Sequence, residues 1–322
     1  MTAHKLGALV ADVRATLGNA GELIGPQQGS TPRFELFNGA NSICSQKVRT
    51  VLAHHGIPYR SHTMNMFTGQ TYLPTYVRLR MIGCDTLGGP LMTVHTGSTS
   101  VSAGGCDPAV VPTLVDWEAG RVVVDSKRIC FYLDGTVDSS GQLRPQRSAE
   151  RIDAELAVVD NLPNYQMLSG KPPGADRRPA GQRGKTGIEF SMSKVERCDR
   201  YLAECADDQT LVRAYTAKRS KELTAAQKLF SEEAMRAAYD KAEAGCEGLE
   251  RALATCGTHW LLGDAITMAD LYWAVELLRM QNMGANAFWA HGARPAVAAF
   301  ANRATSLDGV RAAVVDWPGA MF

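Results

Sequence analysis

A serine and a cysteine stand two positions apart where an apolar stretch gives way to an amphipathic one. Ser42 and Cys44 follow a predicted strand at 34–37 and a turn at 38–41, and a helical pattern begins directly after them. The first turn of a helix exposes unpaired N–H groups and the positive end of the helix dipole, and both favour a thiolate. The pair therefore predicts a site that handles thiols.

The helix dipole alone is too weak to ionise such a thiol. Lowering its pKa from about 8.5 to about 6.5 requires roughly 2.7 kcal/mol, whereas a helix terminus supplies at most about 2 kcal/mol. Backbone N–H donors, the Ser42 hydroxyl or a neighbouring cation have to supply the rest. Two alternatives stay open: an inert Cys44 beside a conjugating Ser42, and a Ser42 that only caps its helix.

Composition excludes several classes of protein. The chain has 322 residues, of which 45% are hydrophobic, and a formal net charge of +1. This length suits two domains, and the near-zero charge argues against nucleic acid as a partner. No apolar run reaches membrane-spanning length, and residues 1–17 lack the apolar core of a secretory signal. We therefore expect a cytoplasmic protein with neither a membrane nor a nucleic-acid partner.

The number and spacing of the cysteines also favour a cytoplasmic protein. Eight of them occur in the chain, with no Cys-x-x-Cys and no zinc-ligand spacing. This pattern indicates neither a metal site nor a disulfide framework. We expect most of them to be small buried hydrophobic residues in a reducing compartment.

The patterns along the chain divide it into three parts. Residues 1–32 predict an added amphipathic helix followed by a polar linker at 25–32. Residues 33–140 give a strand–helix–strand order and then two strands and a helix, which is a thioredoxin-like plan; Gly, Ser and Thr between about 66 and 108 predict an irregular insertion. From 148 to 322 the patterns are helical, so we expect an α/β domain followed by an all-helical domain, with a solvated loop at 170–187.

These features together resemble the glutathione transferase superfamily over residues 33–322. The shared marks are Val111-Pro112-Thr113-Leu114, the Asp125-Ser126 helix start and a capping box at Thr267–Asp270. In that superfamily the proline is cis and shapes the edge that pairs with the glutathione backbone, while the acid–serine pair binds the γ-glutamyl end at a helix N-terminus. The resemblance thus implies glutathione as co-substrate, a homodimer, and four binding residues: Val111, Pro112, Asp125 and Ser126.

The Ser-x-Cys-x-x-Lys-Val-Arg motif at 42–49 is similar to the zeta class, which includes maleylacetoacetate isomerases. It resembles more closely the bacterial glutathione-dependent reductive dehalogenases of chlorinated hydroquinones, and segments 33–37, 76–80 and 265–274 are similar to the dichlorohydroquinone branch. This resemblance implies an aromatic or quinoid substrate. It also implies two catalytic roles: Ser42 favours the glutathione thiolate, and Cys44 attacks the sulfur of a glutathionyl aromatic.

Other activities are compatible with the same residues. The Gly-Ala-Asn-Ser run at 39–42 is similar to bacterial β-aryl-ether-cleaving transferases. Ether cleavage, simple glutathione conjugation and isomerisation are therefore alternatives to dehalogenation. A non-catalytic interaction module is the least favoured hypothesis, because it gives no reason for Ser42, Cys44, Pro112 and Asp125-Ser126 to occur together.

Overall fold

A five-stranded sheet forms the N-terminal half of the computed structural model, which describes residues 3–26, 31–99, 104–169 and 187–321. The strands are β1 (Glu22–Ile24), β2 (Phe34–Asn38), β3 (Tyr59–Thr63), β4 (Thr113–Asp116) and β5 (Arg121–Val124). Their order is β1-β3-β2-β4-β5; β2 and β3 run parallel, and the other neighbours run antiparallel. The predicted thioredoxin-like sheet is confirmed.

Three helices pack on this sheet: α2 (Ile43–His54), α3 (Pro74–Leu87) and α4 (Ser126–Asp134). The apolar face of α2 is fully buried, and Val48, Val51 and Leu52 share one core with Leu36 of β2 and with Ile152 of the helical half. Burial of this face fixes the orientation of α2 on the sheet. In that orientation the first turn of α2 lies at one end of the sheet. The same helix therefore belongs to both halves of the core.

The N-terminal extension is confirmed as a helix, α1 (Ala3–Leu17), with Leu6, Val10 and Val13 buried. The prediction for residues 1–32 contained no strand and so missed β1, which pairs antiparallel with β3 at the edge of the sheet. Such a strand escapes sequence reasoning because it has only three residues and two of them are exposed. Residues 27–30 of the predicted linker lie outside the described part of the chain.

The prediction of an irregular segment at 66–108 is wrong for its first half, which contains α3. Tyr76, Leu79, Met81 and even Arg80 are buried on this helix. Because polar residues occupy buried positions, the apolar periodicity that normally reveals a helix is weak. In the described residues of this segment, irregular chain occurs in the short stretch before α3 and then at 88–99 and 104–108.

Helices make up the C-terminal half in the described residues. They are α5 (Ala149–Asp160), α6 (Asn164–Ser169), α7 (Gly187–Glu204), α8 (Gln209–Lys228), α9 (Glu232–Cys256), α10 (Met268–Asn282) and α11 (Pro295–Thr305). A short helix, Asp308–Val310, and a π-helical turn at 311–315 follow α11. The all-helical prediction is confirmed; the predicted loop at 170–187 lies almost wholly outside the described residues.

The predicted cap begins α10, the most buried helix of this half. The Thr267 N–H donates to Asp270 Oδ2 at 2.8 Å, and the Leu261 N–H donates to Asp270 Oδ1 at 2.9 Å. One carboxylate therefore satisfies the helix N-terminus and also fixes the preceding turn. None of the helices in the described ranges has the length and apolarity needed to cross a membrane.

Two cysteines depart from the expectation of free thiols. Cys84, near the end of α3, forms a disulfide with Cys106, 22 residues later, while the other six cysteines are free. The sequence spacing gave no signal because an irregular segment brings the two together, through a β-bridge between Leu91 and Cys106. The disulfide thus closes the base of the segment between α3 and β4.

Candidate active site

A cavity between the sheet half and the helical half brings together the residues predicted from sequence. Its volume is about 190 Å³. The predicted residues on its wall are Ser42, Cys44, Val111, Pro112, Asp125 and Ser126. These residues come from three separate stretches of the chain, and the sheet places those stretches at one end of its central strands.

Ser42 and Cys44 lie at the N-terminus of α2. Ser42 is the N-cap of this helix, and its Oγ accepts the Ser45 N–H at 3.3 Å. Cys44 is the second helical residue and is half-buried. The capping alternative therefore describes the geometry of Ser42 correctly, and it does not remove the side chain from the cavity wall. An oxygen that accepts from a backbone N–H still has its own hydrogen to donate.

The turn before Ser42 is held by Arg49, which the sequence motif contains but whose role was not predicted. Arg49 is buried and donates to Asn38 Oδ1 at 2.8 Å, Gly39 O at 3.0 Å and Ala40 O at 2.8 Å. Its guanidinium fork satisfies acceptors that the turn would otherwise leave unpaired. Arg49, in the second turn of the same helix, therefore fixes the position of the Ser42 hydroxyl by holding the turn that precedes it.

The surroundings of Cys44 do not favour a thiolate as strongly as its position at a helix N-terminus suggested. Burial raises the pKa of the Cys44 thiol, and this effect outweighs the opposing influence of Lys47 and of a hydrogen bond with the Ser126 side chain. The reason is desolvation, which penalises the charged form. Cys44 is therefore a thiol in the unliganded site, with a cation already in place to stabilise its anion.

That cation, Lys47, is itself buried and paired. Its Nζ lies 2.8 Å from Asp160 Oδ1 on α5 and 4.5 Å from the centre of the Tyr272 ring. Burial acts to lower the pKa of Lys47, but the charges of Asp160, Cys44 and Glu276, together with the hydrogen bond to Asp160, outweigh it and raise the pKa. Lys47 therefore carries its positive charge one helical turn beyond Cys44.

The Val111–Pro112 peptide bond is cis, as the family resemblance implied. Residues of α3 hold the segment around it: the Tyr76 hydroxyl donates to Val110 O at 2.8 Å, and Arg80 donates to Pro112 O at 2.5 Å. The pairing of β4 with β2 begins only at Thr113. Val111 thus lies beyond the sheet ladder, on the cavity wall.

Asp125 and Ser126 begin α4 on the same wall. Asp125 is the N-cap with φ of 79°, and its Oδ1 accepts the Lys127 N–H at 3.2 Å. Burial raises the pKa of Asp125 to about 6, against the opposing charge of Arg128. A positive φ at a non-glycine residue costs on the order of 1–3 kcal/mol and occurs mainly at functional sites. A buried carboxylate beside free helix N–H groups suits a ligand that carries both an ammonium and a carboxylate group.

Sequence reasoning missed most of the opposite wall. Its residues come from the segment between α3 and β4 and from the helical half: His95, Gly97, Ser98, Thr99, Asn164, Tyr165, Leu168, Lys221 and Arg279. The two walls are in polar contact, since Arg279 donates to the Asn41 carbonyl in the turn before Ser42. A histidine inside a Gly/Ser/Thr-rich stretch was the one local signal that could have drawn attention to this wall.

Comparison with known proteins supplies the family. The glutathione S-transferase N-terminal domain matches residues 41–136. Two 2,5-dichlorohydroquinone reductive dechlorinases from two strains of Sphingobium indicum are each 38% identical to the chain over 292 residues, which is 89% of this chain and 84% of the relative. The chain belongs to the glutathione S-transferase superfamily.

Solved structures agree with this transferase in fold. A zeta-class bacterial glutathione S-transferase, maleyl pyruvate isomerase, matches with a TM-score of 0.52 at 16% identity, covering 89% of this chain and all of its own. A β-etherase from Sphingobium sp. strain SYK-6 matches with a TM-score of 0.56 at 14% identity, covering 87% of this chain and 98% of its own. The predicted order of a thioredoxin-like half and a helical half is therefore that of known glutathione S-transferases.

Proposed function

We propose that this transferase is a glutathione-dependent reductive dehalogenase that acts on a halogenated hydroquinone. The observation that carries the proposal is the position of a second thiol, Cys44, on the wall that also holds Ser42, cis-Pro112 and Asp125. Conjugation needs only the first thiol, that of glutathione. A protein thiol beside it adds a reductive step, and the relatives at 38% identity are reductive dechlorinases.

The site fits glutathione as co-substrate in three places. The carboxylate of Asp125 and the N-terminus of α4 at Ser126 receive the γ-glutamyl ammonium and carboxylate. The Val111 backbone, left free of the sheet ladder, pairs with the peptide of glutathione. The Ser42 hydroxyl, whose oxygen is already occupied by the Ser45 N–H, donates its hydrogen to the sulfur and favours the thiolate.

The reaction balances with two glutathione molecules. The first thiolate attacks the halogen-bearing carbon of the keto tautomer of the hydroquinone, which has the same oxidation level; the carbon–halogen bond breaks with loss of halide, and loss of a ring proton restores the aromatic ring. Cys44, as its thiolate, then attacks the sulfur of this adduct. A sulfur–sulfur bond forms, and the carbon–sulfur bond breaks with its electron pair on the ring, which takes up a proton. A second glutathione thiolate attacks the mixed disulfide, which releases Cys44 and oxidised glutathione.

The test is an incubation of the protein with glutathione and 2,5-dichlorohydroquinone under anaerobic conditions. We expect one chloride and one oxidised glutathione for each carbon–chlorine bond that is replaced by a carbon–hydrogen bond. A parallel incubation with a β-aryl ether detects the alternative activity as phenol release. Phenol release without chloride, or a stable glutathione conjugate as the only product, would contradict the proposal in favour of ether cleavage or conjugation respectively.

We propose further that the protein is a cytoplasmic homodimer with neither nucleic acid nor membrane as a partner, and that its domains are residues 33–140 and 148–322. The net charge of +1 supports the first exclusion, and the family resemblance supports the dimer. Sedimentation equilibrium tests the dimer directly: we expect twice the chain mass of 34.8 kDa, and the mass of a single chain would contradict it.

A further inference from the structure

Residues 95–99, which follow α3 in the chain, form a fixed wall of the cavity. Thr99 donates its N–H and its hydroxyl to Asp160 O, both at 3.1 Å, and the Tyr165 N–H donates to Gly97 O at 3.0 Å. Gly97 has φ of 84°, and a Cβ there would approach Gln166 Oε1 to 2.2 Å. These contacts attach the segment to α5 and α6, so its side chains hold definite positions toward a substrate.

His95 is the ring that this segment places on the cavity wall. It stacks on Tyr165 with 4.3 Å between ring centres, and the Gly97 N–H donates to its Nδ1 at 3.0 Å. Burial and the charge of Lys221 lower the pKa of His95 well below its ordinary value, so the ring is neutral. With Nδ1 acting as an acceptor, the ring hydrogen is on Nε2. In the described part of the chain Nε2 has no hydrogen-bond partner.

A cluster of buried charges stands behind His95. Lys218 and Lys221 lie 2.8 and 2.7 Å from Asp107 Oδ2, and Lys218 and Lys194 lie 2.9 and 3.3 Å from the oxygens of Glu222. Three lysines thus face two carboxylates, which leaves one positive charge in excess. Lys221 also lines the cavity. The potential on this wall therefore favours a neutral or negative oxygen over a cation.

We propose that His95 is a substrate-binding residue: its Nε2–H donates a hydrogen bond to a ring oxygen of a hydroxylated aromatic substrate, in its hydroxyl, keto or phenolate form, beside the positive potential at Lys221. This inference rests on the proposed function for the identity of the aromatic ring. It assigns the recognition of ring oxygens to residues 95–99, while the opposite wall holds the sulfur chemistry. The N–H of a neutral imidazole is a very weak acid, and the Nδ1 lone pair already accepts the Gly97 N–H, so His95 binds and orients the ring and transfers no proton.

Two variants separate the stacking of His95 on Tyr165 from the hydrogen bond that its Nε2–H donates. His95→Phe retains an aromatic ring against Tyr165 and removes the N–H. His95→Gln places an amide N–H near the position of Nε2 and restores a donor. His259→Phe is the control, because His259 also contacts an aromatic ring, the edge of Trp260, but lies exposed and away from the cavity.

Two measurements separate this inference from the proposed function. Halide release by the unaltered protein decides the proposed function. Binding of hydroquinone, which has ring oxygens but no leaving group, is measured on protein saturated with glutathione and compared with binding of 1,4-dichlorobenzene, which has no oxygen. This second measurement needs no turnover, so it tests His95 whether or not halide is released.

We expect His95→Phe to weaken hydroquinone binding about tenfold, the effect of one lost hydrogen bond of this kind. Binding of 1,4-dichlorobenzene and the KM for glutathione should stay unchanged, His95→Gln should recover most of the loss, and His259→Phe should behave as the unaltered protein. Equal hydroquinone binding by His95→Phe and the unaltered protein would overturn the inference. So would an equal loss for both ligands, since that indicates a damaged pocket rather than a lost donor.

Discussion

Lys47 Nζ lies 2.8 Å from Asp160 Oδ1, and both side chains are buried. This ion pair joins α2 to α5, and its cation lies one turn beyond Cys44. The pair acts on the thiol with both signs: the charge of Lys47 lowers the pKa of Cys44, and that of Asp160 raises it. Stability and thiol reactivity are therefore coupled through one contact.

Lys47→Met should damage both properties. Removal of one partner leaves a buried, uncompensated Asp160, which costs about 3–5 kcal/mol in the free energy of unfolding. The pKa of Cys44 should also rise, which iodoacetamide labelling of the Cys44 peptide against pH will measure. Lys47→Met/Asp160→Asn should recover much of the stability, while the exposed Lys228→Met should change neither quantity. An unchanged labelling profile in Lys47→Met would show that the cation does not act on the thiol.

Cys44→Ser should stop the reaction after halide release. The variant keeps Ser42 and the glutathione-binding wall, so the first addition proceeds, but no protein thiol attacks the adduct. A glutathionyl aromatic should accumulate in mass spectra, in proportion to the chloride released. Cys256→Ser, at a free cysteine far from the cavity, is the control. Reduced product at the normal rate from Cys44→Ser would disprove the thiol-exchange mechanism.

Ser42→Ala separates capping from catalysis. The loss of an N-cap costs about 1 kcal/mol in stability. Ser231 is also an N-cap, of α9, and its Oγ accepts the Ala234 N–H at 3.1 Å, well away from the cavity. Ser42→Ala and Ser231→Ala should therefore destabilise the protein by similar amounts in urea unfolding. Only Ser42→Ala should lower kcat/KM for halide release, by about a hundredfold. Equal activity of the two variants would show that Ser42 acts only as a helix cap.

Asp125→Asn should change the pH dependence of stability. The raised pKa of Asp125, about 6, means that the folded protein holds this proton more tightly than the unfolded chain does. Stability therefore falls as pH rises from about 4 to about 6, by up to roughly 3 kcal/mol. Asparagine keeps the N-cap and tolerates the positive φ, so the variant should be more stable than the unaltered protein at pH 7 and equal to it at pH 4.

The same variant should bind glutathione more weakly, because the ligand ammonium loses its anionic partner. Retention on immobilised glutathione measures this loss. Asp138→Asn, on the surface, is the control for both quantities. A stability profile for Asp125→Asn that declines between pH 4 and 6 as steeply as before would place the responsible group elsewhere.

The disulfide between Cys84 and Cys106 predicts a definite thiol count. Alkylation of the unfolded protein without reductant should label six cysteines, and after reduction all eight. Replacing both residues by alanine should lower the free energy of unfolding by about 3 kcal/mol, the loop-closure contribution of a cross-link of this span. Eight labels before reduction would show that the pair is open in the isolated protein.

Sequence reasoning succeeded where the determining contacts are local. The strand–turn–helix around Ser42 and the cap at Thr267–Asp270 have short-range signatures, and structure follows them. It failed where distant contacts decide the conformation. The partner of Lys47 lies 113 positions away, and His95 reaches the cavity because Gly97 and Thr99 bond to α6 and α5. Such pairings leave no local periodicity in the sequence. On α3, the burial of polar residues weakens the apolar periodicity, so that even a long helix was missed.

The fixed wall that carries His95 has a consequence for how this enzyme can diversify. The residues proposed to meet glutathione and residues 95–99, proposed to meet the aromatic ring, lie in different parts of the chain. Exchange of residues 95–99 can therefore alter the accepted ring while the sulfur chemistry proposed for Cys44 stays intact. Grafts of that stretch between relatives, with the anchors Gly97 and Thr99 kept, offer a direct route to transferases with new ring preferences.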